Sequence, residues 1–220
     1  MKKRKTLYLK FIITYLIFGV LSFITIATFT SSKTTDYLVK NEAAALYKEA
    51  TLISNKYATY FYNDSVSRTD IEDQLSAIDT LTSAAIWIIN SDGHIMYTTR
   101  YARILNNTIE NFDPVSDIGT YSVNDFYGIF PEKTLSVFSP ITYNYTVPGY
   151  VVINYPMESI MEKQEKIMLI SYITLGIVFI LSTIILIVFT DAVYIPLNQV
   201  TTAAEKYAEG DLKYTFDVNR

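Results

Sequence analysis

An α+β chain with two membrane helices is what this sequence predicts: two transmembrane helices flank an external domain of two helices followed by a five-stranded antiparallel sheet. Three observations predict it. Two long uncharged runs stand near the ends, a heptad-spaced stretch follows the first, and short β-prone segments separated by turn residues fill the middle. The charge content agrees, since 18% of the 220 residues are charged and 50% are apolar, against about 25% charged in an ordinary soluble domain. The chain has no cysteine and one histidine. That excludes a disulfide scaffold, a Cys-based zinc site, thiol catalysis and any multi-His metal site within one chain.

The first uncharged run covers residues 11–32 and the second 167–190. A span needs about 20 mostly apolar residues at a rise of 1.5 Å each, so both suffice. Lys2, Lys3, Arg4, Lys5 and Lys10 precede the first run, and such a basic arm stays cytoplasmic. A cleaved signal peptide would also begin this way, but the run is too long for one and no A-x-A site follows. Five segments result: a basic arm (1–10), a first span (11–32), an external domain (33–166), a second span (167–190) and a stub (191–220). Both termini are expected in the cytoplasm of a multi-pass cell-membrane protein. The arm carries 5 basic residues, the external segment a net charge of −7 and the tail −2. An acidic exterior disfavours nucleic acid and leans toward cationic ligands, a solvated surface being the simpler account.

In the external segment Val39, Ala43, Leu46, Ala50, Ile53, Tyr57 and Tyr60 repeat at heptad spacing, which predicts one long helix packed along its length. A dimer interface is preferred over an intrachain contact for this seam. Asn63-Asp64-Ser65 breaks the helix, and Thr69-Asp70-Ile71-Glu72 has the form of a capping box opening a second. Asp70, Glu72, Asp73 and Asp79 lie mostly on its polar face; a divalent-cation patch is the lesser reading, since the first three suit the helix's N-terminal dipole. Strands are predicted at Ala85–Ile89, His94–Thr98, Phe126–Phe130, Thr134–Ser139 and Tyr150–Tyr155. Asn90-Ser91-Asp92-Gly93 makes the first turn and Pro148-Gly149 the last. Trp87 belongs to the core, and His94 belongs at the surface after its turn. The Asn63, Asn106 and Asn144 sequons occur near chance frequency.

Ile86-Trp87-Ile88-Ile89-Asn90-Ser91-Asp92-Gly93-His94-Ile95 resembles the first hairpin of the extracellular PAS-like, or single Cache, sensor domains of bacterial receptors. Leu135 to Ile141 and Gly149 to Ile153 are similar to their closing strands. The resemblance implies a small ligand held between the sheet and the segment after the first hairpin. It directs attention to Arg100 and Tyr101 as partners for a carboxylate ligand, and to Tyr121, Asp125, Tyr127 and Tyr143 as the opposite wall. Surface and core-edge roles are the plainer alternative for all six.

In the stub, Pro196 suits the first turn of a helix but disfavours helical geometry at Ile195, which predicts a break or kink between span and stub. Val193, Leu197, Val200, Ala204 and Tyr207 follow at heptad spacing, and Gly210 stands where a left-handed residue ends a helix. Such a short amphipathic helix wants a partner. Pro196, Leu197, Val200, Ala204, Tyr207 and Gly210 together resemble the first helix and glycine turn of a HAMP linker, which implies a parallel dimer and makes these the signal-transmission residues. Only the first HAMP helix and part of the connector precede Arg220.

The expectation is therefore the sensor and membrane portion of a two-component sensor histidine kinase, with membrane lipid, a homodimer partner and an unknown extracellular small ligand or cue. No catalytic residue, metal site or cofactor is expected in this chain. ATP and Mg would belong to a missing kinase domain, and so would a response regulator. The front end of a chemoreceptor or nucleotide cyclase, or a stand-alone binding module, reads the same up to residue 220. An external enzyme is disfavoured because no nucleophile elbow or zinc motif is present.

Overall fold

A computed structural model describes residues 2–62, 68–100, 107–114, 121–211 and 213–215. The elements run α1 (Lys2–Thr25), a π-helical turn (Ile26–Thr30), α2 (Ser31–Tyr62), α3 (Arg68–Thr82), and strands β1 (Ala85–Asn90), β2 (Ile95–Thr98), β3 (Tyr121–Asn124), β4 (Thr134–Tyr143) and β5 (Thr146–Pro156). They end with α4 (Met157–Phe189), a second π-helical turn (Thr190–Tyr194) and α5 (Ile195–Ala208). The contacts divide the chain into two units, one of Phe29–Lys166 and one of Met1–Thr28 with Ile167–Arg220.

The Phe29–Lys166 unit is α+β, with one antiparallel sheet of order β2-β1-β5-β4-β3. Period-two alternation gives the sheet two apolar faces. One face carries Ile86, Ile88, Leu135, Val137, Val151 and Ile153, and α2 covers it with Ala43, Leu46, Ala50 and Ile53. The heptad seam from Val39 to Ile53 is thus spent inside the chain, contrary to the preferred dimer interface, and the side chains of Tyr57 and Tyr60 lie outside the described residues. Ala43 and Ala50 are small enough to let the α2 backbone lie close on the strands, and burial of Leu46 and Ile53 contributes about 1.5–3 kcal/mol each. Ser54 Oγ and Ser139 Oγ, 3.2 Å apart, close the polar end of this contact.

The other face carries Ala85, Trp87, Ile89, Phe138 and Val152, packed with Phe126. Its centre is aromatic: Phe126 meets Trp87 edge-on at 5.2 Å, and Phe130 lies 5.6 Å from Trp87. The sequence reading misplaces two details here. Phe126–Phe130 is a turn rather than a strand, because Phe126, Tyr127 and Gly128 all have positive φ, a conformation no strand contains. Asn124 ends β3 instead, its Oδ1 accepting from the Phe126 amide at 2.9 Å. Likewise β4 and β5 are joined at Asn144-Tyr145, with φ of 45° and 61°, as a two-residue hairpin of type I′ demands. Pro148 and Gly149 lie within β5. The first hairpin turn is as expected, with Asn90 Oδ1 accepting from the Asp92 and His94 amides.

Asn63 to Ser65, the sequons at Asn63 and Asn106, and the Thr69 side chain lie outside the described residues. Among the described residues no three His, Asp or Glu side chains gather closely enough to hold a metal ion.

In the second unit, α1 and the apolar part of α4 run antiparallel against each other. The Tyr15 hydroxyl donates to the Phe179 carbonyl at 2.7 Å and lies 2.8 Å from Thr183 Oγ1. Phe23 stacks on Tyr172, and a Cβ at Gly19 would stand 2.5 Å from the Phe179 ring. Among the described residues of the chain, two helices, Ile12–Lys56 and Met157–Ala208, are long and apolar enough to cross a membrane. Their hydroxyls, including Ser22, Thr25 and Thr174, bond carbonyls one turn back, which satisfies them where no water is present. Between the second span and the stub, where a break or kink is expected, the helix does not stop but passes through the π-helical turn Thr190–Tyr194. Ile195 is α-helical, and the π-helical turn just before it takes up the register that Pro196 disturbs. Past α5, Gly210 has φ of 91°. Its amide bonds the Tyr207 carbonyl and the Asp211 amide the Lys206 carbonyl, the paired bonds of a Schellman end.

Candidate functional site

At the end of the sheet where β5 gives way to α4 lies a cavity of about 270 Å³, lined by Ala85, Arg100, Phe130, Pro131, Glu132, Lys133, Thr134, Asn154 and Pro156. It opens on the face away from α2. Its floor comes from paired positions on three strands, Ala85 of β1 opposite Asn154 of β5, and Thr134 of β4 opposite Pro156 of β5. The small Ala85 side chain leaves room beside Asn154. Phe130 and Pro156 form apolar walls, and Arg100, Glu132 and Lys133 are exposed at the rim.

Two features make this more than a crevice. Asn154 is 1% exposed, and its Oδ1 accepts from Ser136 Oγ at 2.6 Å. Its Nδ2 has no partner among the described residues. A buried donor left unpaired costs about 1–3 kcal/mol. Ser136 and Ala85 flank Asn154 on the two neighbouring strands, and Asn154 Nδ2 is itself enclosed by the fold. Trp87 Nε1 and Ser122 Oγ, on the same face, also lack partners among the described residues.

The second feature is Arg100. Its Nε and Nη2 both donate to Asp79 Oδ1, at 2.8 and 2.6 Å. Asp79 is nearly buried at the end of α3, so it fixes the guanidinium while the rest of that planar donor set stays at the cavity rim. One hydrogen bond ties the cavity to the next element. The Lys133 carbonyl accepts from the Met157 amide at 3.2 Å, which satisfies one of the free N–H groups at the start of α4.

The candidate residues from the sequence do not converge. Arg100 is at the cavity, whereas Tyr101 lies outside the described residues. Tyr121 packs with the α2-side core and Tyr127 with the opposite face. Asp125 is exposed in the turn after β3, its carbonyl accepting from the Phe130 amide. Tyr143 stands beside the β4–β5 turn at the other end of the sheet, where its carbonyl accepts from Thr146 Oγ1. The sequence reading missed Asn154 and Lys133, and it weighed Asp79 only as a member of an acidic patch, not as the partner of Arg100. Asn154 was detectable as the polar residue interrupting the apolar run from Val151 to Tyr155. His94 is exposed, its Nδ1 3.3 Å from Thr108 Oγ1.

No family model matches the chain, and no curated protein matches it. Several solved structures are similar. The extracellular domain of the putative histidine kinase vpHK1S-Z8 is 16% identical with a TM-score of 0.46, over 63% of this chain and 61% of that one. The ligand-binding domain of the Campylobacter jejuni chemoreceptor Tlp3, in complex with 4-methylisoleucine, is 10% identical with a TM-score of 0.43, over 60% and 57%. The sensor domain of the V. cholerae histidine kinase DctB is 16% identical with a TM-score of 0.41, over 60% and 56%. The chain therefore spans less than two thirds of the length of each of these.

Proposed function

We propose that this chain is the sensing and transmembrane portion of a dimeric sensor histidine kinase of the cell membrane. The Phe29–Lys166 unit would take a small extracellular ligand, and α5 would pass the signal onward as the first helix of a HAMP linker. One observation carries the reading. β5 ends at Pro156, and Met157 opens, with no intervening loop, a helix that continues to Ala208 through the second apolar run. A change at the sheet end then reaches α5 as a shift or rotation of one helix rather than through a flexible joint. The basic arm 1–10 supports cytoplasmic ends and an external domain.

The dimer contact belongs to α5 in this reading. Val193, Leu197, Val200, Ala204 and Tyr207 are all exposed, which leaves an apolar seam for a second copy to cover. Taking such a receptor from mostly off to mostly on requires a ligand that binds the on-state about 10⁴-fold more tightly.

The chain has no cysteine, so single cysteines placed along 193–208 report intersubunit proximity without background. Crosslinking in membranes is expected to peak at positions 193, 197, 200 and 204 and to fall at Asn198 and Thr201. A flat pattern along the helix would refute the parallel HAMP-like dimer.

A further inference from the structure

Away from the cavity, α2 carries a second surface that no contact within the chain uses. Lys33, Lys40, Lys48 and Lys56, with Tyr37, Ala44 and Leu52 between them, succeed one another at steps of three or four residues. At 3.6 residues per turn such steps draw one continuous line along a helix. All seven are exposed. The seam of Ala43, Leu46, Ala50 and Ile53 that meets the sheet lies across the helix from them. We infer that this lysine line is a docking surface for a linear phosphodiester polymer of the cell surface, held through its backbone charges. The source follows from the external placement that the basic arm supports.

The line runs against the charge of its surroundings. Segment 33–166 has 10 basic and 17 acidic residues, yet four of the 10 fall on this one line. None of the four forms an ion pair with a described residue, whereas Lys163 of α4 is taken by Glu42. Nor does α2 neutralise the line from within. Its acidic residues are Asp36, Glu42 and Glu49. Glu42 is spent on Lys163, Glu49 is half-buried, and only Asp36 is exposed. Like charges in a row repel one another, and an anion lying along the row offsets that cost.

The spacing and the residue types select the occupant. Steps of 7, 8 and 8 residues set the lysines about 10–12 Å apart over about 35 Å at a rise of 1.5 Å per residue. A single small anion meets one of them; an extended polyanion meets all four. Every cation on the line is Lys and none is Arg. An ammonium is a point charge that takes a phosphate in any orientation, whereas planar carboxylates are matched by the Arg fork. Tyr37, Ala44 and Leu52 recur only every seven or eight residues, half the density of a helix–helix seam. That is too sparse for a protein helix. A second copy laid on the same face would set lysine against lysine. Tyr37 is the one aromatic ring on the line, so nucleic-acid bases find no stacking platform.

The test uses the full 220-residue chain in nanodiscs of zwitterionic lipid. Acetylation of each lysine is followed by mass spectrometry, so the line is read separately from the basic arm. The probes are poly(glycerol phosphate), glycerol 3-phosphate, poly-L-glutamate and a single-stranded DNA oligonucleotide. Poly(glycerol phosphate) is expected to protect Lys33, Lys40, Lys48 and Lys56 together and to leave Lys166 and Lys213 reactive. Its affinity should fall with salt at a logarithmic slope of about −3, from about −0.7 for each contact to a single strand. Replacing two of the four, Lys40→Gln with Lys48→Gln, should halve that slope and weaken protection at Lys33 and Lys56. The unfolding midpoint, read from Trp87 fluorescence, should stay the same in that variant, because both positions are exposed.

Protection confined to the basic arm, or spread equally to Lys166 and Lys213, would overturn the proposal. So would equal protection by glycerol 3-phosphate, poly-L-glutamate or the oligonucleotide, or undiminished protection in the double variant. A line already unreactive without any polymer would assign this face to a second copy instead. Polymer binding with a flat α5 crosslinking pattern would remove the receptor reading and leave this inference standing. A heptad pattern with no protection along α2 would do the reverse.

Discussion

At Gly149 the β5 backbone passes so close to β1 that a Cβ would stand 2.5 Å from the Ile89 carbonyl oxygen. From sequence, Pro148-Gly149 reads as a turn because those residue types are turn formers. The fold uses the glycine for close approach in the ladder, where Asn90 pairs with it. A backbone atom cannot swing away as a side chain can, so Gly149→Ala is expected to lower stability by about 1–3 kcal/mol. The unfolding midpoint read from Trp87 fluorescence checks it, and an unchanged midpoint would mean that the strands separate freely there. Phe126 and Tyr127 give the same lesson in reverse. Their β-prone side chains suggest a strand, but an Asn124 side chain bonded to the Phe126 amide turns the chain first.

Among the elements, α2 and α4 are fastened where both belong to the Phe29–Lys166 unit. Lys163 Nζ donates to Glu42 Oε2 at 2.7 Å and lies 5.3 Å above the Tyr155 ring, and Gln164 Nε2 donates to Ser31 Oγ at 2.7 Å. The Glu42 hydrogen bond holds the Lys163 pKa above the ordinary lysine value, outweighing the opposing effect of burial. A lysine pKa raised by folding contributes stability that is fully present below the unfolded value of about 10.4. That contribution is lost as pH rises through the higher folded value. The Lys163 side chain is 46% exposed, so solvent screening limits the pair to at most about 1 kcal/mol. The wild-type midpoint should therefore exceed that of Glu42→Gln at neutral pH, and the gap should close in strongly alkaline buffer. A gap independent of pH would show that Glu42 acts by packing alone. The heptad seam on α2 was legible as a packed face but not as to its partner, because a period-3.5 stripe fits a sheet as well as another helix.

For the molecule as a whole, the charge map predicts which surfaces face which compartment. Tyr145, at the tip of the β4–β5 hairpin, is fully exposed, and Lys213 lies in the tail after α5. Since the chain lacks cysteine, Tyr145→Cys and Lys213→Cys each carry one thiol. A membrane-impermeant maleimide should label the first in intact cells and the second only after permeabilisation. The opposite pattern would invert the proposed topology.

What the sequence by itself determined was what depends on neighbours along the chain. Two uncharged runs, an alternation of β-prone segments, the Asn-Ser-Asp-Gly turn and the Gly210 helix end follow from hydrophobic period and backbone allowance, which act over a few residues. Arg100 entered through the resemblance to PAS-like sensor domains rather than through local pattern, and it lines a cavity. Only the tertiary structure decided its company. Asp79 comes from 21 positions earlier and Asn154 from a strand near the far end of the domain, and strand order β2-β1-β5-β4-β3 is what makes them neighbours. Ser136 stands across the ladder from Asn154 and bonds its side-chain oxygen, a pairing set by register and therefore invisible in local composition.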